Sequence, residues 1–537
     1  MKRTAPTSVV VLAAAALALT ACGGGENGGT ETAAGTDADS LRPAMGEECT
    51  EDTAGGTITM GEYVMLPSFA PGQGQYGTRG GAQSAAVYDR LMRWDSQAGE
   101  FVPQLAEGLE SNEDNTVWTL TLREGVTFSN GDPLTAEDVA FTLGLHQDPA
   151  TRSTAMTDAL QVSDAEAVDP LTVRFTLDEP WAGFPVLLSG TVGEVIPQQA
   201  YEASSPAAWE TAPIGAGAFM LEEFVPGQKT VLTPNPDYYG GPVCPTLEFI
   251  RIPGSQGTFE AFQNGELQVG YLRGAKFVAE AQDAGVQGFH DIISSGSVVN
   301  MNSGAAGYDG VLTDQRARQA VAYALDRELM DQRLTGGNGE PTSALLAESS
   351  RFYDGQEGPA YNQERAAELV AEVKADTGWD GAVTILIADG PENIEAGVVN
   401  KALLDAAGFN VTIENAPVSQ VTARQFTGDY EIVLSGIAVS DADPASAFAS
   451  ALTPTGATNL TGVDDPRLTA AITELKAASD LESQKAVFTA LQEVHNEVLP
   501  FTVIANGDEY AIVDDSVHGL KATMLNVVMF DDAYVED

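Results

Sequence analysis

Large apolar and polar residues alternate with period two over Val117-Trp118-Thr119-Leu120-Thr121-Leu122, and again over 171–177. That is the pattern of strands with one buried face. Thr57-Ile58-Thr59-Met60, directly after Gly55-Gly56, predicts the strand that opens the folded body. One helix lies between the two alternating runs. Thr135 can cap it, Asp138 sits near the positive end of its dipole, and Val139, Leu143 and Phe141 offer apolar contacts. The second half of the chain changes period. From Thr313 onward, apolar residues fall at Ala317, Ala320, Val321, Ala324 and Leu325, the stripe of a buried helix face. Helices are then predicted over 366–373, 396–407 (stopped by Gly408) and 421–426, with strands over 383–387, 411–413 and 430–434. Such alternation predicts an α/β domain with a largely parallel sheet, preceded by a β-rich part. No solenoid-type repeat interrupts it.

The N-terminus reads as an address. Lys2 and Arg3 precede an apolar run over 9–19 that is too short to span a bilayer, and then comes Leu19-Thr20-Ala21-Cys22. A positive start, an apolar core and small residues before the cut describe a secretion signal. A Cys directly after the small residue resembles the bacterial lipobox, in which Cys22 is lipidated and becomes the mature N-terminus. Residues 1–21 are thus expected to be removed. The Gly-, Thr- and acid-rich stretch 22–54 is expected to act as a flexible tether at the outer face of the cell membrane. Three cysteines occur in all, Cys22, Cys49 and Cys244. Outside the reducing cytoplasm the last two are an even pair, and a disulfide between them is expected, with two buried thiols as the alternative.

At 537 residues the chain has room for about three units of domain size. Asp and Glu total 77 against 26 Lys and Arg, for a formal net charge of −51. A surface this acidic repels nucleic-acid phosphates and anionic lipid heads, which excludes nucleic-acid binding. The excess is spread along the chain, as a solvating surface would be, and it also fits life in high salt.

Catalytic signatures are absent from the pattern. His146, His290, His495 and His518 are far apart, with no H-E-x-x-H and no G-x-S-x-G. Gly72-Gln73-Gly74-Gln75-Tyr76-Gly77 matches a dinucleotide fingerprint with Asp95 at about the right distance. However, Pro67 and Pro71 break the approaching strand, and Trp94-Asp95-Ser96 reads as a turn. Gly227-Gln228-Lys229-Thr230 lacks the first glycine of a phosphate loop. Asp441-Ala442-Asp443 lacks the glycine of a calcium loop. No enzyme activity, metal or cofactor is expected.

A longer pattern is more specific. Residues 105–145, LAEGLESNEDNTVWTLTLREGVTFSNGDPLTAEDVAFTLGL, resemble the hallmark stretch of the peptide-type (family 5) solute-binding proteins of ABC importers. The stretch has an Ala-Glu start, an alternating strand, an Arg-x-Gly-Val-x-Phe turn, a Gly-x-Pro and a Thr-Ala-x-Asp-Val helix start. In the same order follow Ile214-Gly215-Ala216-Gly217-Ala218-Phe219, Asn235-Pro236-Asp237-Tyr238-Tyr239-Gly240 and 314–327, DQRARQAVAYALDR. The resemblance implies a periplasmic-binding-protein-like two-lobed α/β fold with an extra β-rich subdomain. The first lobe would take 55–275, completed by about 490–537, and the second 276–489. It further implies a monomeric receptor that closes on a small-molecule or peptide ligand and delivers it to an ABC permease and its ATPase subunits.

The expected ligand contacts cluster after the strand at 430–434. There, Gly436, Ile437, Ser440, Asp441 and Asp443 lead into Pro444, where α/β sheets bind ligands. The resemblance places a Trp and an ammonium-binding Asp in this segment, but this chain has Ile437 and Ser440 in their places. A neutral Ser cannot form a charge-assisted bond to an ammonium. Either Asp441 or Asp443 compensates, or the ligand is a neutral solute such as an oligosaccharide. Tyr63, Trp181 and Asn302 are further candidates, each near a strand end or lobe edge. A secreted hydrolase is the rival reading.

Overall fold

In the computed structural model, which describes residues 55–73, 80–96 and 98–536, the opening strand runs over Thr57–Glu62. It lies inside a ten-stranded mixed sheet. On one side it pairs in parallel with Thr246–Arg251, and beyond that come Lys229–Pro234 and Phe219–Val225. On the other side lie Val269–Arg273, Phe501–Val513 and Gln287–Met301. The sheet ends with Ile432–Ser435, Ala382–Ala388 and Asn410–Ala416.

Gln287–Met301 and Phe501–Val513 are the long members, 15 and 13 residues, and they carry the sheet from one lobe into the other. Their pairing slips between Ile293 and Ser297. At the slip the backbones nearly touch, since a Cβ on Gly296 would lie 2.1 Å from the Gly507 nitrogen. Ser295 adopts φ 52°, held by its hydroxyl bond to the Leu345 carbonyl at 2.7 Å. The break in the pairing of the two long strands therefore falls near 293–297 and 505–507. The helix Ala275–Asp283 buries Val278 and Ala281 against Leu272, Tyr510 and Ile512.

The β-rich subdomain is a four-stranded antiparallel sheet: Ala106–Ser111, Val117–Leu122, Thr172–Leu177 and Val162–Asp169. Alternation put Trp118, Leu120 and Leu122 inward, at 7%, 0% and 0% exposure, which is what period two delivers. The helix Ala136–Gln147 covers this sheet and starts with a capping box between Thr135 and Asp138. In the second lobe, Gln315–Ala324 buries Ala317, Ala320, Val321 and Ala324 completely. It begins two residues later than the periodicity predicted. Asp314 is its cap, accepting from the Arg316 N–H at 2.9 Å, while Thr313 closes a short 3-10 turn.

Two readings are corrected. The sheet is mixed, not largely parallel. The βα alternation does make Asn410–Ala416, Ala382–Ala388 and Ile432–Ser435 parallel, as Thr57–Glu62 is to both its neighbours, but the two long crossing strands run antiparallel to theirs. Trp94-Asp95 is not a turn but the end of strand Met92–Asp95, paired with Glu100–Pro103, because Trp94 buries its ring against Phe101 and Met524. The signal segment, the tether with Cys22 and Cys49, and most of the glycine-rich run at 72–77 lie outside the described residues. Cys244 is 4% exposed and disulfide-bonded.

Candidate functional site

The loop after Ile432–Ser435 lies along the crossing strand. Ile437 N–H donates to the Ser295 carbonyl and Val439 N–H to the Ser294 carbonyl, both at 3.0 Å. Gly436 permits this approach, for a Cβ there would sit 2.4 Å from the Gly296 carbonyl oxygen. Ile437 packs on the second-lobe core around Phe448 and Phe488. The Ser440 hydroxyl accepts from Ala442 N–H at 3.2 Å, a local turn bond that leaves a neutral side chain.

The two acids of this loop are already engaged. Asp443 caps the helix Pro444–Leu452, accepting from Ala445 and Ser446 N–H at 3.1 and 3.4 Å. Its other oxygen accepts from the Ser446 hydroxyl at 2.7 Å and from the Trp181 indole N–H at 3.3 Å. Burial raises its pKa, opposed by the Ser446 bond. Asp441 accepts from Ser350 and pairs with Arg351 at 3.5 Å; burial raises its pKa too. Neither carboxylate is a vacant replacement for the missing aspartate at Ser440.

Trp181 is 1% exposed, so its ring belongs to the subdomain core, beside Phe184. Only its N–H edge reaches the second lobe, where Lys476 Nζ also sits 5.3 Å from the ring and donates to Gln161 at 2.6 Å. Gly183 allows the close fit, since a Cβ there would meet the Asp443 carboxylate at 2.7 Å. Asn302 is not brought to this place. It lies past the far end of Gln287–Met301, 0% exposed, donating to the Gly428 and Tyr430 carbonyls and accepting from Gly304 and Ala305 N–H. With every polar atom bound to backbone, Asn302 braces a loop and has nothing to offer a ligand. Tyr63 is half-buried just past Thr57–Glu62, with the Arg273 guanidinium 4.5 Å from its ring.

Several residues of the cleft carried no sequence signal. Arg351, on an irregular second-lobe segment, stacks on Trp94 of the first lobe at 4.8 Å and donates to the Gly99 carbonyl at 2.8 Å. Arg273 pairs with Glu509, and Asp291 stands next to Glu509 on the neighbouring strand. Burial pushes the Asp291 carboxyl up to about 7, with the Glu509 and Asp441 carboxylates adding to the shift and His290 opposing it. An unusually polar end to an otherwise apolar strand was the one available hint. His146 approaches the Ser153 hydroxyl at 2.5 Å but is 1% exposed, so no substrate can reach that pair.

Comparison with known proteins adds an independent line. The family described as "Bacterial extracellular solute-binding proteins, family 5 Middle" matches residues 100–459. "Probable di/tripeptide-binding protein 5" of Pseudomonas aeruginosa is 24% identical over 471 residues, covering 82% of this chain and 88% of its own. "Protein XP55" of Streptomyces lividans is 25% identical over 470 residues, with 84% and 83% covered. Among solved structures, the dipeptide binding protein of Pseudoalteromonas sp. SM9913 in complex with Met-Leu superposes with a TM-score of 0.76 at 21% identity, covering 90% of this chain and all of that one. Haemophilus influenzae OppA, in complex with RPPGFSPFR, superposes at 0.74 and 20% identity, with 92% and 100% covered. Those likenesses fix the two-lobed fold.

Proposed function

The chain belongs to the family 5 bacterial extracellular solute-binding proteins, and from that membership we propose that it captures a peptide or peptide-like solute between its lobes and delivers it to an ABC permease. The observation that carries this reading is the set of contacts across the cleft around the loop 436–444. Arg351 of the second lobe lies on Trp94 and the Gly99 carbonyl, and Trp181 and Gln161 of the subdomain reach Asp443 and Lys476. Polar contacts and stacking of this kind across a cleft would let ligand binding shift an open–closed equilibrium. No turnover is needed, and the protein acts as a monomeric receptor, not an enzyme. Relatives named for peptide binding and neighbours holding Met-Leu or a nonapeptide support a peptide as cargo.

The anchor follows from sequence. Lipidation of Cys22 would hold the receptor at the outer face of the membrane, within reach of the permease, and a Cys49–Cys244 disulfide would tie the tether to the body. Among the described residues, no helix is long and apolar enough to cross a membrane. The replacement of Asp and Trp by Ser440 and Ile437 favours one alternative cargo, a neutral solute such as an oligosaccharide.

The test is mass spectrometry of whatever small molecule co-purifies, followed by calorimetry with that compound. Recovery of peptides that stabilise the protein against heat upholds the reading. Recovery of a sugar keeps the receptor and removes the peptide.

A further inference from the structure

Asp441, Ala442 and Asp443 are each engaged by a distant part of the chain. Asp441 accepts from the Ser350 hydroxyl and pairs with Arg351 at 3.5 Å. Ala442 is buried in a small apolar cluster with Trp94 and Met524, edged by Phe101, Val186 and Leu525. Asp443 accepts from the Trp181 N–H at 3.3 Å. Arg351 joins two bodies here. Its guanidinium lies 4.5 Å from the ring of Phe352, which belongs to the core around Phe448 and Phe488. It also lies 4.8 Å from the ring of Trp94, on the strand whose Met92 enters the subdomain core, and donates to the Gly99 carbonyl at 2.8 Å. Trp94 is fixed from behind, since its N–H donates to the Thr523 hydroxyl at 3.1 Å and its carbonyl accepts from that hydroxyl at 2.9 Å.

A second set of links joins the same two cores. Trp181 and Phe184 belong to the subdomain core, whereas Lys476 lies in the last turn of the helix Pro466–Ala477, whose Leu468, Ile472 and Leu475 pack with Phe448. Between them Ala182 N–H donates to the Lys476 carbonyl at 2.9 Å, and Lys476 Nζ donates to Gln161 at 2.6 Å. Every one of these links runs between atoms of this chain and needs no atom of a solute. Arg351 sets a cation of the protein's own on Asp441. A cation on an aromatic face and a hydrogen bond from a charged donor are each modest, but several made between the same two bodies reinforce one another. A chain with a net charge of −51 has a use for them, because two acidic bodies repel when they approach.

We propose that 441–443 is a latch and not a ligand subsite: Arg351, Trp94 and Trp181 hold the two cores together across the cleft whether or not a solute is bound, and Arg351 is the positioning residue that sets how often the cleft opens. A cleft held in this way admits and releases a solute only through its open state, so the latch governs the rates of both. The latch presupposes the receptor reading, yet it is tested without a solute, so it can fail while that reading stands.

Hydrogen exchange of the protein, dialysed free of solute and read by mass spectrometry at the Ala182 amide, tests the latch. The bond from that amide to the Lys476 carbonyl shares no atom with Arg351, so losing the Arg351 side chain speeds exchange there only by letting the cleft open. In the parent the amide should be protected. In Arg351→Ala it should exchange about tenfold faster, while the amides of Val117–Leu122 keep the parent rate. Arg351→Lys, which keeps the charge and loses the planar fork, should fall between the two. An unprotected Ala182 amide in the parent overturns the latch. So does an unchanged rate in Arg351→Ala, or an equal rise at Ala182 and in Val117–Leu122, which would be loss of stability throughout. If Arg351→Ala does not fold by circular dichroism, Asp441→Asn, which takes the ion pair from Arg351, is read at the same amide against the same outcomes.

Discussion

Asp443 offers the sharpest separation of a structural from an electrostatic role. Asp443→Ala removes four contacts at once. The N-terminus of Pro444–Leu452 loses its cap, at about 1 kcal/mol within a usual range of 0.5–2. The Ser446 hydroxyl, half-buried, can turn to water at roughly 0.5 kcal/mol. The Trp181 N–H, on a residue 1% exposed, keeps no acceptor, at about 1–2 kcal/mol. The sum is about 3 kcal/mol. Asp443→Asn retains an oxygen for the cap but puts an NH2 where Oδ2 accepts from the Ser446 hydroxyl and the Trp181 N–H, so it loses the charge and the bridge together. Because burial raises the Asp443 pKa, its folded state holds a proton more tightly than the unfolded chain, so ionisation weakens stability as pH rises. The amide, which keeps the cap but not the acceptor for Trp181, should therefore cost about 1–2 kcal/mol, less than the Ala, and least at high pH. Urea unfolding followed by tryptophan fluorescence reads both variants. Equal losses for Ala and Asn would mean that the cap on Oδ1 contributes nothing. No loss for either would remove Asp443 from the contacts across the cleft.

Other expectations are simpler. Glu62 is fully buried, and burial pushes it from 4.5 up to about 8, opposed by the Gln83 bond at 2.6 Å. The folded state holds its proton, so stability present below pH 4.5 is lost as pH rises toward 8, at up to ~1.4 kcal/mol per pH unit. Glu62→Gln should flatten that slope and stabilise the protein at pH 8; parallel curves for parent and variant would refute the account. Raising NaCl from about 0.1 to about 1 M shortens the Debye length from ~10 to ~3 Å. With a net charge of −51 the melting temperature should climb across that range, and a flat response would show that self-repulsion is unimportant. Cys22→Ala should move the protein from the membrane fraction into the medium. Non-reducing peptide mapping should recover one fragment joining Cys49 to Cys244.

The sequence by itself determined the local pieces. Period-two runs became Val117–Leu122 and Thr172–Leu177, and the 3.6-residue stripe became the buried face of Gln315–Ala324, because side-chain direction along an element follows from backbone geometry alone. Caps were legible for the same reason at Thr135–Asp138, where the partners are three residues apart. The family resemblance added the two-lobed arrangement, since its motifs extend over much of the chain. Tertiary structure alone decided the pairings between distant residues. Nothing local forces Gln287–Met301 and Phe501–Val513 together, or turns Trp94-Asp95 from a turn into a strand. The candidate site suffered most from this. Asp443 looked like a free acid in sequence until Trp181, 262 positions away, and the helix it caps claimed its oxygens. Asn302 looked like an edge residue until four backbone groups surrounded it. Which oxygens a side chain keeps free depends on every element packed around it, and that is decided only when distant segments meet.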